Sequence, residues 1–130
     1  MSSSSSLEAL SQFEWLIMNH LWDVGGNASA REIMEALPEE AQRAYTTIQT
    51  YMERLVTKGY LVKKKIGMVN FYTTLVLQKD AVDGATSSFI NRVFQGSGSS
   101  LAAYLINYKK LDANDLKQIR DILDGGEKDD

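Results

Sequence analysis

The spacing of apolar residues changes period twice along this chain, and those two changes limit the folds open to it. From Phe13 to Leu55 they recur three and four apart, as on one face of a helix. From Tyr60 to Val76 the texture is β-branched and aromatic around a glycine, and from Leu77 the helical spacing returns. The order is three helices, a hairpin, three helices, so the expected fold is mainly α with a small β-hairpin. A chain of 130 residues has room for one modest core and a small appendage. No repeat of roughly 20 to 50 residues suggests a solenoid.

Start and stop signals sharpen the outline. Ser11 and Glu14 have capping-box spacing, with Leu10 and Trp15 placed as a staple, and Phe13, Ile17, Leu21 and Val24 follow as a stripe that Gly25 and Gly26 stop. A second box, Ser29 and Glu32, opens a short helix carrying Ile33, Met34 and Leu37, which Pro38 ends. A third helix runs from about Ala44 to Lys58 with Ile48, Met52 and Leu55 inward and Gly59 as its cap. Beyond the hairpin, Val82, Ala85, Phe89 and Val93 form a stripe with Ile90 and Phe94 beside it. Gly96 to Ser100 reads as a flexible break, Leu101 to Tyr108 as a short helix, and Asp112 as the cap of a last helix faced by Ile119, Ile122 and Leu123. The division expected is a disordered serine-rich N-terminus over residues 1–9, one domain over 10–76, a helical domain over 77–124 and a flexible acidic tail over 125–130.

Composition removes several classes of chemistry. The chain has no cysteine, so disulfides, iron–sulfur clusters and cysteine zinc sites are excluded; its one histidine argues against a histidine-rich metal centre, any bound metal would need carboxylates, and no metal or cofactor is expected. No apolar run approaches the roughly 18 residues that span a bilayer. The serine run lacks the parts of a signal peptide, so the expected setting is cytoplasmic, without membrane insertion. Net charge is −3, but it is unevenly spread. Six basic residues and one acid lie between Arg43 and Lys65, which makes that window +5 and the remainder −8.

The third helix carries an unusual polar face. Thr46, Thr47 and Thr50 are weak helix formers, and a surface selected for helix stability alone favours Glu, Lys or Ala. Followed by a basic hairpin, this helix completes the pattern of a winged helix-turn-helix, in which the third helix enters the major groove and the hairpin lies along the backbone. Threonine offers a hydroxyl and a methyl that can meet the thymine methyl, and Gln49 can pair in bidentate fashion with adenine. Lys63, Lys64 and Lys65 supply phosphate contacts, with strand alternation letting two of the three face DNA together. The candidate contact set is Tyr45, Thr46, Thr47, Gln49, Thr50, Arg54, Lys63, Lys64 and Lys65, and the partner is a double-stranded DNA operator.

The segment from Leu77 to Leu123 is too short to bury its own apolar surface alone. A second copy is the expected cover, giving a helical dimerisation domain and a homodimer suited to inverted half-sites. Its candidate seam is Val82, Phe89, Ile90, Val93, Phe94, Leu101, Tyr104, Leu105, Ile119 and Leu123.

From about Leu10 to Leu123 the chain resembles the penicillinase-repressor family, the BlaI/MecI type. The matching stretches are Glu14-Trp15 with Met18 and Leu21-Trp22; Thr47-Ile48-Gln49-Thr50 with Arg54-Leu55 and Lys58-Gly59; Phe71-Tyr72; and Phe89-Ile90-Asn91-Arg92-Val93-Phe94. The resemblance implies a homodimeric repressor on an inverted repeat with TACA/TGTA-like cores, read by Thr47, Gln49 and Thr50. It also implies inactivation by a sensor-linked metalloprotease that cuts before Phe89. Ser88 stands at the position that is asparagine in well-known members, and Gln49 at one that is often arginine or lysine. A copper-responsive branch uses C-terminal cysteines, which this chain lacks.

Two other functions fit the same elements. One is a winged-helix adaptor that binds protein without specific DNA binding, and the other is a small-ligand sensor with a pocket between the domains. His20 on the apolar first helix reads as a packed residue, and Trp15 and Trp22 as core or domain-edge packing. Glu39 and Glu40 have no nucleophile, base or glycine cradle beside them, so the chain is not expected to be an enzyme.

Overall fold

Both sequence-encoded helix starts are made as the spacing requires in the computed structural model, which describes residues 7–125. The Ser11 hydroxyl accepts the amide of Glu14 at 3.2 Å while Glu14 Oε1 accepts the amide of Ser11 at 2.7 Å, opening α1 (Gln12–Asp23). Ser29 and Glu32 repeat the exchange at 3.1 and 2.8 Å to open α2 (Ala30–Ala36). After a 3-10 turn at Glu39–Ala41 comes α3 (Tyr45–Thr57). Its far end closes with two reversed bonds, Gly59 amide to Val56 carbonyl and Tyr60 amide to Leu55 carbonyl, both 3.0 Å. Gly59 sits at φ 89°, a left-handed turn that sends the chain straight into the hairpin.

The hairpin is β2 (Leu61–Ile66) and β3 (Val69–Thr74), antiparallel, with Lys63 opposite Tyr72 and Lys65 opposite Asn70. A third strand, β1 (Asn27–Ser29), pairs with the free edge of β3, so the sheet order is β1-β3-β2. Three residues carry no readable alternation, and Ser29 had shown only its cap role. Gly26 permits the approach: a Cβ there would meet Thr74 Oγ1 at 2.9 Å, and its carbonyl takes the Thr74 amide at 2.8 Å.

The core forms where these elements converge, from Ile17, Met18 and Leu21 of α1, Ile33 of α2, Ile48, Met52 and Leu55 of α3, and Leu61 and Tyr72 of the sheet, all 1% exposed or less. Each such burial is worth about 1.5–3 kcal/mol. The stripe expected on α1 needs one correction. Val24 is half exposed as the C-cap, because the helix stops at Asp23, and the inward positions are Glu14, Ile17, Met18 and Leu21. Trp22 is half-buried, with its indole N–H on the Val76 carbonyl at 2.9 Å. His20 is half-buried.

The chain divides into two units between Thr86 and Ser87, inside α4 (Gln78–Val93). The first half of α4 belongs to the first unit, where Ala81 joins the core. The second unit holds the rest of α4 with α5 (Gly98–Asn107) and α6 (Ala113–Gly125). The break expected over Gly96 to Ser100 is shorter than that. Ser97 accepts the amide of Ser100 at 3.0 Å, so α5 begins at Gly98. Asp112 and Asp115 cap α6 reciprocally at 2.8 and 3.1 Å. Within this unit Phe89, Phe94, Tyr104 and Tyr108 form a chain of ring contacts 4.7–6.1 Å apart.

The termini carry fewer statements. The Tyr60 hydroxyl donates to the Glu8 carbonyl and Lys58 Nζ to the Ala9 carbonyl, so residues 8 and 9 are tied to the turn between α3 and β2. Gly125 is the last residue of α6; the serine run and the acidic tail otherwise lie outside the described residues. No helix among the described residues is long and apolar enough to cross a membrane.

Candidate nucleic-acid interface

With Ile48, Met52 and Leu55 fully buried, the 3.6-residue period of α3 turns Thr46, Thr50 and Arg54 outward. All three are exposed. Thr47 and Gln49 flank this strip on opposite sides and are half-buried. Tyr45 is 37% exposed, with the guanidinium of Arg31 from α2 5.4 Å from its ring centroid. Ala44 precedes the helix and offers no side-chain acceptor, so the amides of the first turn lack the cap that α1 and α2 carry. The hydroxyl of Thr50 donates to the Thr46 carbonyl at 3.0 Å. Its methyl and remaining lone pairs are what it offers outward.

Strand register sorts the three lysines. Residues directly opposed across a ladder share a face, so Lys63, opposite the buried Tyr72, turns toward the core side of the hairpin, and Lys65 shares that face two residues on. Lys64 takes the other face. Lys63 is also engaged: its ammonium lies 2.9 Å from Glu53 Oε2 on α3. The same oxygen accepts the Tyr72 hydroxyl at 2.7 Å. Among the described residues, Lys64 and Lys65 have no carboxylate in ion-pair range.

The electrostatics follow from these contacts. The Tyr72 hydroxyl, and then Lys63, hold the Glu53 carboxyl below its ordinary value. Burial, reinforced by the adjacent Glu53, pushes the Tyr72 phenol well above its own. Glu53 thus joins the helix to the wing, a role that its position among polar helix residues did not disclose. The signal available was a lone acid in a window of six bases.

The other edge of α3 is fixed to α1. Phe13 and Tyr51 lie with ring centroids 4.7 Å apart. Arg43 sits 5.1 Å from the Phe13 centroid and Arg54 4.9 Å from that of Tyr51. Arg54 was a candidate contact; Arg43, Phe13 and Tyr51 were not.

The structure therefore gathers Tyr45, Thr46, Thr47, Gln49, Thr50 and Arg54 on one helix beside the hairpin that bears Lys63, Lys64 and Lys65. Ser88 and Phe89 lie in the second unit, both exposed on α4. Of the seam residues, Phe89, Val93, Tyr104, Ile119 and Leu123 are 40–72% exposed, while Ile90, Phe94, Leu101 and Leu105 are half-buried. Val82, 45% exposed, falls in the first unit. Among the described residues no three His, Cys, Asp or Glu side chains gather to hold a metal.

Comparison with known proteins gives concordant matches. A family model described as penicillinase repressor covers residues 10–125. The methicillin resistance regulatory protein MecI of Staphylococcus aureus (strain N315) is 31% identical over 114 residues, spanning 88% of this chain and 92% of that protein. The penicillinase repressor of Bacillus licheniformis is 26% identical over 115 residues, spanning 88% and 89%. The solution structure of the DNA binding domain of the repressor BlaI superposes with a TM-score of 0.50 at 28% identity, covering 62% of this chain and 93% of that one.

Proposed function

Because the chain belongs to the penicillinase-repressor family, we propose that it represses transcription by binding duplex DNA, with α3 in the major groove and the β2–β3 hairpin along the backbone. The observation that carries this is the uncovered polar strip of α3, with every large apolar side chain of that helix except Tyr45 turned at least partly inward, beside two lysines free of ion pairs. Thr47, Gln49 and Thr50 read base edges, the Thr50 methyl matching the thymine methyl. Lys64 and Lys65, on opposite faces of β2, neutralise phosphates on either side of the hairpin. The reading carries a non-enzymatic role and a cytoplasmic location with it.

The chain acts as a homodimer in this account. The apolar side chains left open on the second unit are covered by a second copy, and a twofold pair of recognition helices calls for an inverted-repeat operator. Release comes from a sensor-linked protease that cuts between Ser88 and Phe89. Both residues are exposed, and a protease reaches a helical bond through local opening of α4. Genome-wide footprinting tests the whole: protected inverted repeats upstream of genes are expected, and uniform coverage without protected sites contradicts repression. Mass spectrometry of fragments from cells grown with and without penicillin tests the cut.

A further inference from the structure

We propose that Arg43 and Arg54 form a phosphate clamp along one edge of the recognition helix, held in place by the contacting, mutually tilted rings of Phe13 and Tyr51. The inference rests on the DNA-binding reading and extends it from Arg54 to Arg43, Phe13 and Tyr51, which lie outside the candidate contact set. Four side chains form one continuous ladder: the Arg43 guanidinium over Phe13, Phe13 against Tyr51, and the Arg54 guanidinium over Tyr51, at 5.1, 4.7 and 4.9 Å. Phe13 belongs to α1 and Tyr51 and Arg54 to α3, while Arg43 lies just before the cap of α3.

Three features point this ladder at a polyanion. First, among the described residues neither guanidinium has a carboxylate in ion-pair range, although the chain carries more acids than bases. Arg43 donates one Nη1 N–H to the Gln42 carbonyl at 2.8 Å, but both guanidinium groups are exposed and their remaining N–H groups keep donor capacity. Second, an aromatic face holds a guanidinium by its plane and leaves its edge open, which suits phosphate oxygens. Third, Thr47, Tyr51 and Arg54 fall in one row at i, i+4 and i+7. The clamp therefore runs along the edge that carries a base-reading candidate. Long side chains ordered in advance lose less freedom on binding, so Phe13 and Tyr51 act as positioning residues.

The test titrates the full chain onto a random-sequence duplex by fluorescence anisotropy at several salt concentrations. Each phosphate neutralised contributes about 0.9 to the slope of log affinity against log salt. Arg43→Gln is expected to lower that slope by about 0.9, and Arg43→Lys to keep most of it. Phe13→Leu, which retains apolar packing but removes the flat face, is expected to weaken binding severalfold. In the Arg43→Gln background the same change should cost less, leaving only what Phe13 contributes to Arg54 through Tyr51. An unchanged slope for Arg43→Gln, or equal losses from Phe13→Leu in both backgrounds, overturns the clamp while leaving the DNA-binding reading intact. Failure of the unaltered chain to bind the duplex with any salt dependence overturns both.

Discussion

The ammonium of Lys58 lies 2.7 Å from Oε1 of Glu14, joining the end of α3 to the first turn of α1 in a place where the carboxylate is fully buried. That oxygen also accepts the Ser11 amide, whereas Oε2 has no partner. The pair is asymmetric, because the Lys58 side chain keeps 17% exposure and a second acceptor in the Ala9 carbonyl. Lys58→Met should therefore cost about 3–5 kcal/mol, since it leaves a buried charge uncompensated. Glu14→Gln should cost less, because glutamine still serves the capping box and Lys58 can turn to water. Urea unfolding of both variants checks the order, and equal losses would contradict it.

Acid should weaken the first unit in a way that depends on Glu14. Burial pushes its carboxyl up, but Lys58 and the Ser11 amide together bring it below the ordinary value. A carboxyl depressed by folding contributes stability that is complete above its unfolded value and disappears as pH falls through its folded value. Glu53, held down by Tyr72 and Lys63, adds in the same direction. The urea midpoint should fall between neutral pH and about pH 3, and the fall should be shallower in Glu14→Gln. Parallel declines would remove Glu14 from this role.

Relieving the latch between α3 and the wing should tighten duplex binding. Glu53→Gln removes the charge that occupies Lys63 and a repulsion toward phosphate. The salt slope should steepen by about 0.9 as Lys63 gains a phosphate. Tyr72→Phe should instead cost about 1.5–3 kcal/mol of stability through its lost bond to the charged carboxylate. A flat or shallower slope for Glu53→Gln would mean that Lys63 stays away from DNA.

Assembly should respond to the open face of the second unit. Val93 is 52% exposed on α4. Val93→Asp places an unpaired charge in the proposed seam, so sedimentation should shift toward monomer and affinity for an inverted repeat should fall with it. A dimer of unchanged strength would move the seam elsewhere.

The parts legible in the sequence were those whose signal lies within a few residues. Ser11 with Glu14 and Ser29 with Glu32 announced both helix starts at a distance of three, and Gly59 announced the turn into the wing. The polar strip of α3 followed from the phase of Ile48, Met52 and Leu55. What stayed hidden depends on partners far along the chain. The three-residue strand β1 exists because β3 passes beside it 46 residues later. Nothing in the capping-box spacing of Glu14 indicated that it is buried, and only Lys58, 44 residues on, makes that burial tolerable. Strand alternation already divided the Lys63 to Lys65 run, but which members share a face with Tyr72 and which one Glu53 engages depends on the register and on α3.

The most direct measurement is enrichment of duplexes from a random library by the full chain, followed by affinity of the winning sequence for the unaltered protein and for Thr47→Ala with Thr50→Ala. The account predicts an inverted repeat among the winners and a loss of about 1–3 kcal/mol per base contact on it, with little change on random DNA. No enriched sequence, or equal losses on selected and random duplexes, would contradict base reading by α3.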